Sequence, residues 1–485
     1  MRRIAVVLNL LSVVVILFAI AMLLPLGVAL YMGDDAEGAY HMAVFATAFA
    51  GGITWLLTRD ARREMQLRDG FLFVALVWTV LPVFGALPLL AYLPERSFTD
   101  LYFESMSGFT ATGATVLSGL DYLPPSINFW RAELQWLGGM GIIVLAVAIL
   151  PLLGVGGRQL LKAETPGPMK ESQLTPRITE TAKGLWMVYV TLTVACALAY
   201  YWAGMSGLDA VMHAFTTLGL GGFSSHDASL GYWNSPRIEA VSVLFMLAAG
   251  INFATHFSVI HRRSFAPYRR DPEVLPFLTV VGVSVAGVAG LLYVHGMYPD
   301  FATALRYAAF NVVSVATTTG YSSTDYAQWP IFAPLWMLVL AAFSTCSGST
   351  GGGIKMMRAQ LMFHQALREL ARIVHPRATI PVKLGGQVVH NNIIFAVLAY
   401  MLVYGMTMGG FTLLLTASGL DLLTAISAAA ASINNLGPGL AGVGPAGTYA
   451  VLNDFQIWIL TAAMLLGRLE LLTVFVLLTP SFWRK

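Results

Sequence analysis

The sequence predicts an all-α polytopic membrane protein, in which two extra N-terminal transmembrane helices precede four pseudo-repeated helix–pore-helix–helix units around a pore. Three observations support this fold class: an apolar composition, stretches long enough to cross a bilayer, and a glycine motif that recurs four times. Of the 485 residues, 57% are hydrophobic and 11% are charged, whereas soluble domains carry about 25% charged residues. A lipid bilayer is therefore the expected surrounding. With a net charge of +3 and no basic tail, no nucleic-acid partner is predicted.

About ten apolar stretches are predicted to span the membrane, because a spanning helix needs about 20 residues. The first stretch is too long for a signal peptide and lacks a small-residue cleavage site, so a retained helix is expected. Shorter, weakly apolar segments between some stretches cannot cross and are predicted to be re-entrant helices. The predicted spans lie near residues 5–31, 40–57, 71–93, 129–152, 185–204, 238–260, 274–296, 331–350, 388–417 and 454–480.

The basic residues predict the orientation of the chain. Most Lys and Arg residues lie at the two termini or in four segments between spans. Because basic residues accumulate in cytoplasmic loops, both termini and these segments are expected in the cytoplasm, with the short segments on the opposite face. The four basic segments are 58–69, 155–184, 261–272 and 355–383.

A glycine motif recurs at spacings of 109, 98 and 117 residues. Its copies read "GFTATGATV", "TLGLGGFSSHD", "ATTTGYSSTDY" and "SINNLGPGL", around Gly113, Gly222, Gly320 and Gly437. Each copy follows a short segment and precedes a long apolar run, so the motif indicates an internally repeated architecture. The predicted divisions are two extra helices in 1–69 and four units in 70–154, 185–272, 273–387 and 388–485.

The four loops are predicted to form a cation filter. Irregular backbone at membrane depth persists only where protein buries it or where it lines a water-filled path. Four such loops about one axis can replace the hydration shell of a cation with carbonyl oxygens, and glycine permits the backbone dihedrals this requires. The third copy resembles the potassium-channel signature most closely, and the fourth lacks hydroxyl residues, so an asymmetric site is expected. The predicted filter residues are Thr112, Gly113, Leu220, Gly221, Gly222, Thr318, Thr319, Gly320, Asn435, Leu436 and Gly437.

The run "FSTCSGSTGGGIKMMR" interrupts the second long stretch of the third unit. Each glycine in a helix costs about 1 kcal/mol relative to alanine, so an intramembrane loop is predicted over 344–353. A plain loop leaving the membrane toward Lys355 is the alternative. The Gly-x4-Gly-Lys-Ser/Thr order of a phosphate-binding loop is missing from this run.

Arg468 is the only basic residue in the middle of a predicted span. A central arginine costs about 2.5 to 3.5 kcal/mol on insertion scales, so it must face a cavity or a partner. Glu470, two positions away, lies on a different helix face and is not the expected partner. We interpret Arg468 as a pore-facing cation that contacts the intramembrane loop; a structural ion pair or snorkelling is the alternative.

Further polar residues accompany the motif copies. Glu104, His213 and Asn311 each precede a motif glycine by nine residues, and local hydrogen bonding behind the loops is the expectation for them. Asp227 and Asp325 each follow a glycine by five residues. We expect these two at the outer mouth, where carboxylates concentrate cations; ordinary solvated loop carboxylates are the alternative.

With these features the sequence resembles the Trk-type potassium uptake subunits of the Trk/Ktr/HKT superfamily. The resemblance covers nearly the whole chain, and the two extra helices favour the Trk branch. It implies a potassium-selective, channel-like pore with potassium ions at the filter residues and no tightly bound cofactor. In the family, serine at the place of Gly113 accompanies sodium preference, so glycine here implies potassium. The family also implies a gate beneath the filter, formed by Ser344, Thr345, Ser347, Gly348, Gly351, Gly352, Gly353 and Arg468.

The resemblance also implies a homodimer in the bacterial inner (plasma) membrane, regulated by a cytosolic nucleotide-binding ring subunit. The basic segment 355–383 is the predicted docking surface for such a regulator, although the positive-inside rule alone would also place basic residues there. The chain has no Gly-x-Gly-x-x-Gly motif of its own, so nucleotide sensing would need a separate subunit.

Two other functions are alternatives to a channel. An ion-coupled (proton or sodium) symporter with alternating access is the nearer one, but such proteins usually carry two inverted repeats. Catalysis is not predicted: Ser206 in the "GMSG" of Gly204–Gly207 matches a rhomboid-type motif by chance, and no His-Glu-x-x-His sequence occurs. Cys196 and Cys346 indicate neither a disulfide framework nor a metal site.

Overall fold

The computed structural model describes residues 2–61, 66–141 and 178–484. Within these ranges the regular structure is helical, apart from the antiparallel strands β1 (Lys383–Leu384) and β2 (Gln387–Val388). The predicted all-α class is therefore confirmed.

Three helices precede the repeated units, namely α1 (Arg2–Ala21), α2 (Leu23–Met32) and α3 (Glu37–Thr58). The apolar stretch Ile4–Met32 and α3 are each long enough to cross a membrane. Here α1 packs along α3. Asp34 accepts hydrogen bonds from the backbone N–H and the hydroxyl of Ser126, which connects this pair to the first unit.

Four units follow, and each contains a first helix, a short helix and a second helix. Unit 1 contains α4 (Leu67–Tyr92), α5 (Phe98–Phe109) and α6 (Pro125–Trp136). Unit 2 contains α7 (Ile178–Ala203), α8 (Gly207–Gly219) and α9 (Pro236–Ala249), followed by α10 (Phe253–Arg262) and α11 (Ala266–Arg270). Unit 3 contains α12 (Val274–Val294), α13 (Phe301–Ala316) and α14 (Phe332–Phe343), followed by α15 (Met356–Val374), and unit 4 contains α16 (Asn391–Ala417), α17 (Leu422–Ile433) and α18 (Asp454–Arg468), followed by α19 (Leu472–Leu478) and α20 (Pro480–Trp483).

The four short helices begin in the same way. Their N-cap side chains accept a hydrogen bond from the backbone N–H three residues later, which is the usual means of satisfying the first turn of a helix. With lengths of 12 to 16 residues, α5, α8, α13 and α17 are too short to cross a bilayer, as predicted. The four N-caps are Ser97, Ser206, Asp300 and Asp421.

The second helices depart from the predicted spans. Among the described residues six helices are long and apolar enough to cross, or up to eight if each bent pair counts as one span. Full spans were predicted over 238–260, 331–350 and 454–480, but α9 bends into α10 by 93°, α14 ends after 12 residues, and α18 bends into α19 by 113°. Of the predicted span 129–152, α6 and a π-helical turn account for the part up to Gly141; the remainder lies outside the described residues.

Local backbone features explain the breaks. Asn252 ends the connection after α9 and caps α10, because its side chain accepts a hydrogen bond of 2.9 Å from the N–H of Ala254. Between α18 and α19, Glu470 and Leu471 have positive φ angles of 55° and 35°, which an α-helix cannot contain. Hydropathy continues through both breaks, and for this reason the sequence predicted unbroken spans.

Apolar packing surrounds a polar centre. One apolar cluster joins α1, α3, unit 1 and part of unit 4, and another joins units 2 and 3. The loops that follow the short helices lie between them and are rich in buried polar residues, such as Thr112, Thr319 and Asn435. Irregular backbone is thus enclosed by protein, as its position in a membrane protein demands.

Candidate functional site

Each short helix ends in the same turn. The residue two places before each motif glycine has a left-handed backbone, with φ between 51° and 60°. The N–H of the residue after it bonds to the carbonyl five positions earlier at 2.8 to 2.9 Å, which is the Schellman pattern. A left-handed conformation costs non-glycine residues about 1–2 kcal/mol, so its recurrence indicates that the surroundings fix these turns. The four left-handed residues are Ala111, Leu220, Thr318 and Asn435.

The motif glycines follow these turns and are also left-handed. Gly113, Gly222, Gly320 and Gly437 have φ angles of 85°, 77°, 85° and 99°, and the residue before each has a negative φ. Alternating handedness lets successive carbonyl groups point to one side of the chain, as in the carbonyl rings of ion filters. We name these segments loop 1 (110–116), loop 2 (220–226), loop 3 (317–323) and loop 4 (434–440).

The four loops meet in a closed ring. A Cβ atom placed on each motif glycine would come within 2.8 Å of a carbonyl oxygen of the next loop, which leaves no room for a side chain. In every case that oxygen belongs to the residue before the next glycine. The approaches are Gly113 to Gly221 at 1.9 Å, Gly222 to Thr319 at 2.0 Å, Gly320 to Leu436 at 2.1 Å and Gly437 to Thr112 at 2.8 Å. All eleven predicted filter residues therefore lie in or beside one ring.

Side chains of the short helices support the outer part of the loops. Glu104 accepts a hydrogen bond of 2.9 Å from the N–H of Val116. Asn311 accepts one from the N–H of Ser323 at 3.2 Å, and the N–H of Leu440 bonds to Ser427 at 2.9 Å. His213 contacts loop 2 through the Ser224 hydroxyl at 2.9 Å. The expected local hydrogen bonding is present. The role of Ser427 was missed, because alanine stands nine residues before Gly437, where the other three copies have an ionisable or amide residue.

Arg131 and Glu104 form a buried ion pair behind loops 1 and 2. Their side chains are 1% and 0% exposed, and Nε of Arg131 lies 2.9 Å from Oε1 of Glu104. The guanidinium also donates to the carbonyl of Ser224 at 3.1 Å and lies 4.3 Å from the ring centre of Phe223. The sequence pattern assigned no role to Arg131, so this contact between two units was missed.

Two more side chains connect neighbouring loops. Gln135 of α6 donates to the carbonyl of Gly221 at 2.7 Å and accepts from the N–H of Phe223 at 3.0 Å. Asn435 of loop 4 donates to the hydroxyl of Thr112 in loop 1 at 2.9 Å. Thus α6 holds loop 2, and loop 4 is tied back to loop 1.

Tyr321, which follows the third glycine, points away from the ring. Its hydroxyl contacts Thr216 and Thr217 and donates to the carbonyl of His213 at 3.1 Å. This side chain fastens loop 3 to the short helix of unit 2. It is therefore a support of the ring rather than a lining group.

The two aspartates predicted at the outer mouth hold local turns. Asp227 is exposed and accepts hydrogen bonds from the N–H groups of Gly119 and Leu120 at 2.9 and 3.2 Å. Asp325 caps the turn Tyr326–Gln328 through the N–H of Ala327 at 3.1 Å. Both lie five residues after their ring glycines, just beyond loops 2 and 3, and their effect on cations stays a prediction.

Beside Asp227, Asp121 and His226 form a second link between units 1 and 2. The imidazole of His226 is hydrogen-bonded to Asp121 and stacks on Tyr232 with ring centres 3.6 Å apart. Partial burial acts to raise the pKa of Asp121, but the hydrogen bonds from His226 and the N–H of Asp227 outweigh it. The pKa of Asp121 consequently lies below its ordinary value.

The predicted intramembrane loop lies directly against the ring. Irregular backbone runs over residues 344–355, which we name the glycine-rich loop, between α14 and α15. Thr350 donates to the carbonyl of Leu218 at 2.8 Å, and the N–H of Gly352 donates to the Thr318 hydroxyl at 2.8 Å. A Cβ on Gly352 would lie 1.9 Å from the carbonyl oxygen of Asn434. The loop therefore touches units 2, 3 and 4 beside the ring, and its position within the membrane stays a prediction.

Arg468 also contacts the glycine-rich loop. The last residue of α18, it donates to the carbonyl of Thr350 at 2.8 Å and to those of Gly138 and Gly139 at 2.6 and 2.7 Å. It thus joins the glycine-rich loop to unit 1. Glu470 pairs instead with Arg358, so the prediction that Glu470 is not its partner is right.

The remaining predictions concern catalysis and metals. The Ser206 hydroxyl caps α8 and donates to the Asp209 carboxylate at 2.7 Å, which accounts for this serine structurally. Across the described ranges no group of three or more His, Cys, Asp or Glu side chains is placed to hold a metal ion. Oxygen atoms of carbonyl and hydroxyl groups are what the ring offers a cation.

The fold and site define a polytopic membrane protein whose four repeated units meet in a ring of loops, with the glycine-rich loop on one side of it. The sequence matches the profile of TrkH, described as a cation transport protein, over residues 36–485. The chain belongs to the TrkH family of cation transport proteins.

Several relatives match along nearly their whole lengths. The "Trk system potassium uptake protein TrkH" of Salmonella typhimurium is 47% identical over 475 residues, which are 98% of either chain. The "Trk system potassium uptake protein TrkG" of Escherichia coli is 37% identical over 471 residues, covering 97% of this chain and 96% of that one. The crystal structure of the potassium transporter TrkH from Vibrio parahaemolyticus superposes with a TM-score of 0.90 at 43% identity, covering 99% of this chain and 100% of that chain.

Proposed function

We propose that this protein takes up potassium across the bacterial inner membrane through a channel-like, potassium-selective pore whose filter is the ring of four loops. The observation that carries the proposal is the closed cycle of contacts from Gly113 through Gly222 and Gly320 to Gly437. The names of the full-length relatives, which are potassium uptake proteins, agree with this function.

In this proposal an ion exchanges water for oxygen atoms at the ring. Left-handed residues alternate with residues of negative φ in all four loops, so carbonyl groups from each can face one axis. The hydrogen bonds of Glu104, His213, Asn311 and Ser427 keep the loops in place. Glycine at all four ring positions favours potassium over sodium, by the family pattern described above.

The glycine-rich loop and Arg468 act as the gate in the same proposal. They contact all four units beneath the ring, and the guanidinium brings a positive charge to the path of the ion. At about 8 Å and an effective dielectric constant of about 20, two like unit charges repel by about 2 kcal/mol. Conduction then requires the loop to move and the arginine to leave its carbonyl partners.

The proposal also covers the orientation of the chain, its oligomeric state and its regulator. Both termini and the basic segment 355–383 lie in the cytoplasm, the chain forms a homodimer, and a cytosolic nucleotide-binding ring subunit controls the gate. The relatives are named as proteins of a Trk system, which supports the existence of further components of such a system. Asp227 and Asp325 raise the cation concentration at the outer mouth. No catalytic role and no tightly bound cofactor are proposed.

Substitution of a ring glycine tests the function. Gly113→Ser and Gly320→Ser place a Cβ about 2 Å from a backbone oxygen and should abolish uptake or its potassium preference. Gly119→Ser is the matched control, because Gly119 has a similar φ of 74° but nothing within 4 Å of its Cβ position. The assay is growth of an uptake-deficient bacterium at limiting potassium. Equal growth with the ring variants and the control would contradict the filter assignment.

A further inference from the structure

Glu273 is a buried carboxylate that neither the filter nor the predicted gate includes. It stands immediately before α12, the first helix of unit 3, and is 2% exposed. Its side chain makes no capping bond to the first turn of α12. The carboxylate therefore faces other parts of the described chain.

Its partners include Ser347 in the glycine-rich loop and Met357 just after that loop. We name the part of the loop before its tip at Gly352 the first limb and the part after it the second limb. Oε1 of Glu273 accepts hydrogen bonds from the N–H and the hydroxyl of Ser347, in the first limb, at 2.9 and 3.0 Å. The same oxygen accepts from the N–H of Met357 at 2.9 Å, just after the second limb has entered α15. One carboxylate oxygen thus bridges the entrance and the exit of the loop.

Other contacts continue this arrangement toward the ring. The N–H of Met356 bonds to the carbonyl of Thr345 at 2.8 Å, and the Thr345 hydroxyl bonds to the carbonyl of Gly352 at 2.9 Å. The limbs are consequently held together from Glu273 up to the tip at Gly352, which touches loops 3 and 4. A force that separates the limbs at Glu273 would be transmitted to the tip.

Glu273 is a strong anchor because its carboxylate accepts two hydrogen bonds from Ser347 in the loop and one from Met357 at the start of α15, and bonds to charged acceptors are stronger than those between neutral groups. Replacing the carboxylate by an amide keeps the shape but weakens every one of these interactions.

We propose that Glu273 is a positioning residue for the gate, which holds the glycine-rich loop beneath the ring in the non-conducting arrangement. The inference rests on the proposed function of that loop. Neutralising Glu273 should free both limbs, shift the loop away from the ring, and raise potassium flux without the regulator.

Cys346 provides a native reporter for this movement. It lies in the first limb next to Ser347 and is fully buried, as is Cys196 in α7. Purified full-length protein is treated with a methanethiosulfonate reagent, and peptide mass spectrometry follows each cysteine separately. In Glu273→Gln we expect Cys346 to react at least tenfold faster than in the unsubstituted protein, while Cys196 stays unreactive.

Potassium flux into proteoliposomes is measured on the same samples. Glu273→Gln should raise it several-fold, and Ser347→Ala, which removes one of the three bonds, should raise it less. Glu369→Gln is the control, because this glutamate is 49% exposed on α15 and pairs with Arg372 away from the loop. Should Glu273→Gln fail to fold, Ser347→Ala decides alone.

The outcomes separate this inference from the proposed function. Unchanged Cys346 reactivity and unchanged flux in Glu273→Gln and Ser347→Ala would overturn the role of Glu273 while leaving a potassium-conducting pore in place. If no variant and no unsubstituted sample conducts potassium, the proposed function fails, and Cys346 reactivity still decides whether Glu273 holds the loop.

Discussion

Gly437 of loop 4 lies against the backbone of Thr112 in loop 1. The side chain of Asn435, also in loop 4, donates a hydrogen bond to the Thr112 hydroxyl across 323 residues of sequence. This contact joins the last unit to the first and so closes the ring of four loops. Because the same approach of glycine to carbonyl occurs between each pair of neighbouring loops, the ring is a property of the repeat and not of one motif copy.

The bond between Asn435 and Thr112 should contribute to ion discrimination. Asn435→Gly removes the amide but tolerates the left-handed φ of 52°, so loop 4 loses a tie without added strain. We expect the preference for potassium over sodium to fall in competitive uptake. Ala111→Gly is the control, since Ala111 occupies the equivalent place in loop 1 with the same φ. Equal selectivity of both variants would contradict a role for the amide.

Arg131 should matter for stability more than for the ion path. Removing one partner of a buried ion pair costs about 3–5 kcal/mol, because the other charge stays buried. Arg131→Met should therefore lower the thermal unfolding temperature in detergent markedly, and adding Glu104→Gln should recover part of the loss. The exposed Arg372→Met serves as control. If adding Glu104→Gln recovers none of the lost stability, the two side chains act independently.

Arg468 should restrain the flux. Arg468→Ala removes the positive charge beneath the ring and the hydrogen bonds to Thr350, Gly138 and Gly139. A barrier lowered by about 1.4 kcal/mol raises a rate tenfold, so we expect potassium flux into proteoliposomes to increase by roughly that factor. Arg372→Ala provides the comparison for a lost surface charge. Identical flux in both variants would count against the gate.

Ser206 should be dispensable for activity. Ser206→Ala removes the N-cap of α8, a change that typically costs about 1 kcal/mol of stability. Potassium uptake at a temperature well below unfolding should stay the same, whereas the unfolding temperature should fall slightly. Loss of uptake with unchanged stability would instead point to chemistry at this hydroxyl.

Features that depend on local pattern were predictable from the sequence. The four loops were found because glycine, alone among the residues, fits the approach of a neighbouring backbone, and so it recurs in every copy. The glycine-rich loop and Arg468 were found because glycine disfavours a helix and a central arginine needs a partner.

Features that depend on contacts between units were not predictable. Arg131 reaches Ser224, and Gln135 reaches Gly221, across 93 and 86 residues; single-sequence periodicity contains no information about such pairs. The bends after α9 and α18 were missed because hydropathy reports which residues are apolar and not the direction of the backbone. Glu273 was missed although its partners belong to the same unit, because they lie 74 and 84 residues away along the chain.

Electrical recording tests the central claim, that potassium crosses through the ring of four loops, most directly. Purified protein in a planar bilayer is recorded with potassium on one side and sodium on the other, for the unsubstituted chain, Gly113→Ser and the control Gly119→Ser. We predict unitary currents with a reversal potential set by potassium, which Gly119→Ser keeps and Gly113→Ser shifts toward that of sodium or abolishes. Uptake coupled to a proton or sodium gradient without unitary currents, or a reversal potential that Gly113→Ser does not move, would contradict the account.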